Sequence, residues 1–102
     1  MTTNAEAISA HIANPYTSVR SDNLFTQDGV LYSYGLHWPL CIWTEDADGR
    51  KIANVNYDRA STTSSKHRTM LNRELSAQGY QIKPRSIAEM KQLLKDKETN
   101  NV

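Results

Sequence analysis

The sequence predicts an α+β fold, one small domain with an antiparallel sheet of about four strands flanked by an N-terminal helix and two C-terminal helices. Three observations predict it. Apolar residues recur at helical spacing near both ends of the chain, β-prone runs fill residues 24–57, and two Asp-Gly dipeptides separate those runs. A length of 102 residues suits a single domain over 1–102. A chain of this size buries roughly two-thirds of its unfolded surface, enough for one modest core.

Each element follows from a local signal. Thr3-Asn4-Ala5-Glu6 fits a capping box, and Ala5, Ile8 and Ile12 then recur until Asn14-Pro15, so a helix is expected over 4–13. Leu24–Thr26 and Val30–Tyr34 read as strands joined by an Asp28-Gly29 turn. Gly35 interrupts the second run, to relieve crowding or to form a bulge. Pro39–Thr44 is apolar and β-prone, the expected central strand, with Pro39 at its first position. Glu45–Arg50 contains Asp48-Gly49 and should turn the chain into Lys51–Tyr57, whose alternation predicts a strand with one wet face. The hydroxyls of Ser61–Ser65 can cap a helix carrying Met70, Leu71 and Leu75, with His67 at the edge of the stripe and Gly79 as its stop. Tyr80–Lys83 is a short strand. Ser86-Ile87-Ala88-Glu89 is a second capping box, opening a last helix with Ile87, Met90, Leu93 and Leu94 on one face. The polar residues 98–102 are expected to fray.

Composition excludes several classes. The lone Cys41 rules out an intramolecular disulfide scaffold. Met1–Ala13 lacks an early Lys or Arg and carries Glu6, so no signal peptide is expected. The apolar runs fall far short of the ~20 residues a membrane span needs, so a soluble, cytoplasmic protein without a membrane partner is expected. The net charge of +1 hides an asymmetry: residues 1–49 carry −5, residues 50–85 carry +6, and the remainder balances. That separation becomes a bipolar surface if the segments stay apart, or local neutralisation if they pair across the sheet.

Two segments can carry chemistry. Arg59, Thr62, Thr63, Ser64, Ser65, Lys66, His67, Arg68 and Arg73 place hydroxyls and cations around a helix start, where free N–H groups and the dipole suit a phosphate or an anionic partner. The plainer account is a Ser/Thr-rich cap with solvated cations. Tyr32, Tyr34 and Trp38, with Trp43 and Tyr57 as further members, supply either core or exposed anchors for bases or a protein interface. No cofactor or metal is expected: His11, His37, Cys41 and His67 show no ligand spacing. A hydrolase centred on His67, with Ser64 or Ser65 and Asp58 or Glu74, has the residue types but no nucleophile elbow.

The stretches Ser33-Tyr34-Gly35-Leu36-His37-Trp38-Pro39 and Tyr57–His67 resemble those of small bacteriophage-encoded proteins of unknown function. Those proteins carry a Ser-Tyr-Gly…Pro segment followed by a Tyr-Ser-x-Thr-Thr-Ser-Lys-His-like one. The match covers residues 30–75, and Asp58-Arg59-Ala60 departs from the pattern. The resemblance implies a phage accessory protein in the cytoplasm of an infected bacterium and leaves its activity open; by analogy with how small phage proteins often act, it is expected to bind and inhibit a host protein or nucleoprotein such as a defence (anti-CRISPR-like) or transcription complex. The expected activity is non-enzymatic binding; direct nucleic-acid binding through the basic segment 50–85 is the alternative. Edge strands leave a monomer or a homodimer open.

Overall fold

Helix α1 (Asn4–Ala13) begins at Thr3, whose hydroxyl oxygen accepts the Glu6 N–H at 3.1 Å. The Thr3 hydroxyl in turn donates to Glu6 Oε1 at 3.0 Å, so the box closes through side chains. The computed structural model describes residues 3–21, 23–36, 38–58 and 62–100, and for 62–64 and 98–100 the backbone alone. After α1 come β1 (Arg20–Ser21), β2 (Leu24–Gln27), β3 (Val30–Ser33), β4 (Pro39–Glu45) and β5 (Lys51–Asn56), then α2 (Thr62–Ala77), β6 (Gln81–Arg85) and α3 (Ile87–Asn100).

The described residues thus form an α+β domain with three helices and a sheet in the order β1-β2-β3-β4-β5-β6. The expected antiparallel sheet of about four strands is corrected to six, in a mixed sheet. β1 has only two residues, too few to show a period. β6 pairs parallel to β5, with Ala53 opposite Ile82, because α2 returns the chain to the end where β5 began. Local turn chemistry holds. Asp28 (φ 52°) and Gly29 (φ 83°) both take positive φ, as a two-residue hairpin requires. A Cβ at Gly29 would also lie 2.9 Å from the Tyr16 ring. At the end of α2, Gly79 (φ 78°) donates to Ser76 O and Tyr80 N–H donates to Leu75 O, closing a Schellman motif.

Helices cover both faces. On one, Ile8 and Ile12 of α1 and Leu71 and Leu75 of α2 pack on Leu24, Leu31, Leu40, Cys41, Ala53 and Val55. On the other, Met90 of α3 packs on Val30, Tyr32 and Ile42, with Leu93 and Leu94 beside it. The wet face expected for β5 is therefore absent: Ile52 to Asn56 are all buried, because α3 lies where solvent was expected. Asn54 and Asn56 survive burial by donating to Ile42 O at 3.0 Å and Pro39 O at 3.1 Å. The bulge is not at Gly35. Tyr32 pairs with Pro39 and Leu31 with Cys41, leaving Leu40 as the extra residue, and Leu40 and Cys41 consequently enter the same core.

The sheet edges resist strand addition. β1 is too short to template a partner, and β6 exposes Lys83 and Pro84. Tyr57 N–H donates to Arg85 O, so the neighbouring Pro84 turns its missing donor outward, at no cost to the ladder. Replacing both guards (Lys83→Val with Pro84→Thr) should increase concentration-dependent self-association in sedimentation velocity relative to the parent sequence.

Candidate functional site

The basic segment converges on the N-terminal half of α2, and the structure divides its side chains into two groups. One group is consumed internally. His67 is buried, facing Ser33 Oγ with Nδ1 at 2.9 Å and Asn4 Nδ2 with Nε2 at 3.3 Å. Asn4 Oδ1 accepts from Ser21 Oγ, so its amide N–H₂ points at Nε2 and the ring proton belongs on Nδ1, towards Ser33. Burial lowers the His67 pKa, so the ring is neutral and adds no charge to the surface. Arg68 is also occupied. It donates to Asp58 O at 3.1 Å and Asn56 O at 3.4 Å, and its guanidinium sits 5.2 Å from the Tyr57 ring centre. Asn72 then donates to Tyr57 Oη at 2.6 Å, pinning the half-exposed phenol against α2.

The other group faces out. Lys66, Thr69 and Arg73 follow at i, i+3 and i+7 on one exposed stripe. Neither Lys66 nor Arg73 has a hydrogen bond or ion pair among the described residues. Tyr34 and Leu36 are 46% and 57% exposed, and the Tyr34 ring centre lies 6.1 Å from that of His67, the residue after Lys66. Tyr34 holds φ 72°, a left-handed conformation that a bulky side chain disfavours, while its N–H donates to Asn23 O at 2.7 Å. Trp38 is half-buried and closes the same loop, its N–H donating to Gly35 O.

Several expected members lie elsewhere. Tyr32 is not an exposed anchor: it stacks on Phe25 at 5.3 Å beneath α3, since β3 is buried along its whole length. Trp43 belongs to the opposite end of the sheet, where its indole N–H donates to His11 Nε2 at 3.0 Å. Ser65 is half-buried at the first turns of α2. Arg59 and His37 lie outside the described residues, as do the side chains of Thr62, Thr63 and Ser64. The parts proposed for a His67 hydrolase are dispersed: Asp58 Oδ2 accepts the Ile87 N–H at the start of α3, and Glu74 Oε1 accepts from Gln78. Cys41 is fully buried, and burial pushes its thiol far above the ordinary range. Asn4, Ser21, Ser33 and Asn72 carry hydrogen bonds that sequence reasoning did not anticipate. Their roles arise from contacts between distant elements, for which no local spacing exists.

Between described residues the one ion pair is Arg85–Glu89 at 3.3 Å, within the C-terminal region, so no described carboxylate of the first half pairs directly with a described cation of the basic stretch. Fold and surface define a small α+β domain whose helix α2 turns Lys66 and Arg73 outward, without hydrogen-bond or ion-pair partners among the described residues. No protein-family model matches the chain, and neither does any curated protein or solved structure.

Two predictions separate the groups. Arg68→Ala should lower stability by about 1–3 kcal/mol, because it leaves carbonyls unpaired, while Lys66→Ala should stay within about 0.5 kcal/mol in urea denaturation. The second concerns His11, buried and held at a pKa of about 4 by burial and then by Lys97. The unfolded chain protonates this ring near its ordinary value and the folded chain does not, so acid favours unfolding. Stability should fall as pH drops from about 6.5 to about 4, by up to about 3 kcal/mol from this group, with His67 adding in the same direction. His11→Gln should flatten that slope in pH-dependent melts.

Proposed function

We propose that the chain is a non-enzymatic binding protein that engages a macromolecule through the face built by Lys66, Thr69 and Arg73 with Tyr34, Leu36 and Tyr57. One observation carries this reading: a large aromatic side chain, Tyr34, is kept half-exposed at φ 72°, where Gly or Asn would relieve about 1–3 kcal/mol of strain. Its ring centre lies 6.1 Å from that of His67, the residue after Lys66 in α2, and an exposed aromatic anchor on a domain with outward cations suits an interface with an anionic partner surface. The sequence resemblance makes a bacterial host protein or nucleoprotein the proposed partner, and inhibition of a defence or transcription complex the proposed consequence.

The second reading, direct nucleic-acid binding, is favoured by the same free cations beside rings able to stack on bases. Salt and nuclease distinguish the two. The test compares capture from bacterial lysate by the parent chain and by a Tyr34→Asn/Lys66→Ala/Arg73→Ala variant, each with and without nuclease. A protein partner that survives nuclease and binds the variant at least about tenfold more weakly supports the proposal. Equal capture by the variant overturns the assignment of the face. Loss on nuclease treatment, with affinity falling linearly in log salt, transfers it to nucleic acid. Tyr34→Asn alone should raise or preserve the melting temperature while weakening binding, since it relieves the backbone and removes the anchor.

A further inference from the structure

At the opposite end of the sheet from Tyr34, β4 outruns its neighbour. β3 starts at Val30, whereas β4 continues to Glu45, so residues beyond Ile42 pair only with β5. The segment leaving α1 and the second half of α3 close around this overhang without filling it. They leave a cleft of about 700 Å³, within the range of small-molecule sites.

Two aromatic side chains, Trp43 and Tyr16, line it. The Trp43 indole is held by its N–H bond to His11 and by an edge-on contact with Tyr80 at 5.2 Å. Tyr16, 71% exposed, is held by the Lys97 ammonium 5.3 Å from its ring centre and lies close against Gly29. Aromatic surfaces ordered in advance lose little entropy when a ring settles on them. Two ammonium groups, Lys51 and Lys97, and two carboxylates, Glu45 and Asp96, line the cleft, but they are not paired with one another. Lys97 donates to Asp28 O at 3.0 Å but meets no carboxylate within ion-pair distance among the described residues. Asp96, its chain neighbour, accepts instead from Gln92. At the rim Lys51 stands opposite Glu45 in register without an ion pair, leaving Glu45 as an acceptor for hydroxyl or amine groups. An ammonium against the Tyr16 ring, in a cleft that Trp43 also lines, favours a ligand that supplies both a flat apolar body and an acid group.

We propose that this cleft binds a small planar aromatic anion, its ring against Trp43 and Tyr16 and its acid group on Lys97. The site is independent of the α2 face. A carboxylate and a phosphate offer Lys97 the same chemistry, so the experiment carries both. The probes are indole-3-acetate and adenosine monophosphate, each beside its neutral counterpart, indole-3-acetamide and adenosine, titrated into the full chain. The readout is the Trp43 indole N–H resonance, with Trp38 as internal reference. The expected result is a saturable shift at Trp43 and not at Trp38, with the neutral counterpart binding at least about tenfold more weakly. Lys97→Met should reduce the anion to the affinity of its neutral counterpart, and Lys97→Arg should restore it. The arm that binds identifies the acid group. If neither anion moves Trp43 at millimolar concentration, or neutral and anionic probes bind alike, the proposal fails. The anion-against-neutral comparison in the parent chain decides this even if Lys97→Met does not fold.

Discussion

The burial of β5 on both faces is the constraint around which the rest of the molecule is arranged. α1 and α2 cover one side of that strand and α3 the other, so alternate residues enter two different environments. Ala53 and Val55 meet an apolar core, while Asn54 and Asn56 lie buried and must find partners or forfeit about 1–3 kcal/mol per orphaned group. They find them on β4 and beyond. Asn54 donates to Ile42 O and Thr44 Oγ1 and accepts from Arg85 Nε, and Arg85 also reaches Glu89 in the first turn of α3. Asn56 donates to Pro39 O and accepts the Asp58 N–H, and Asp58 in turn caps α3 at Ile87. Two asparagines thereby tie β4, β6 and the start of α3 to one strand.

The sequence made the local features legible and the global ones much less so. Capping boxes, the Asp28-Gly29 turn and the Gly79 stop depend on residues within a few positions of each other, and they emerge as read; on α1, Ile8 and Ile12 are buried as expected, but Ala7 and His11 join them and Ala5 is exposed. The parallel pairing of β6 was illegible because nothing in Gln81–Arg85 states which strand lies beside it. The misread face of β5 has a specific cause. Asparagine alternating with alanine and valine signals solvent when burial is judged residue by residue, and only the contacts across β4 make those amides affordable inside.

The candidate site shows the same division. Its location at the start of α2 was legible from the density of cations and hydroxyls, but the role of each side chain was not. Lys66, His67 and Arg68 are consecutive, and helical geometry sends them in three directions: out to solvent, into the core, and across to β5. A run of cations in sequence is therefore not a cluster in space. Arg73, one turn and more beyond, shares the outward stripe with Lys66, while Arg68 spends its guanidinium on carbonyls and the Tyr57 ring.

Beneath that stripe lies a cost that packing alone does not explain. Asn4, Ser21, Ser33 and His67 bring four polar side chains into a junction of α1, β1, β3 and α2 that aliphatic residues could have filled. A hydrogen-bonded network constrains its members more tightly than an apolar contact does. Displacing α2 along β3 would strand the hydrogen-bonding groups of His67 and Asn4. The network therefore sets the position of α2 relative to β3, and Tyr34 leaves β3 immediately after Ser33. Strain at Tyr34 and polar burial at His67 are two parts of one arrangement, which fixes an exposed ring relative to the cationic stripe at a cost in stability.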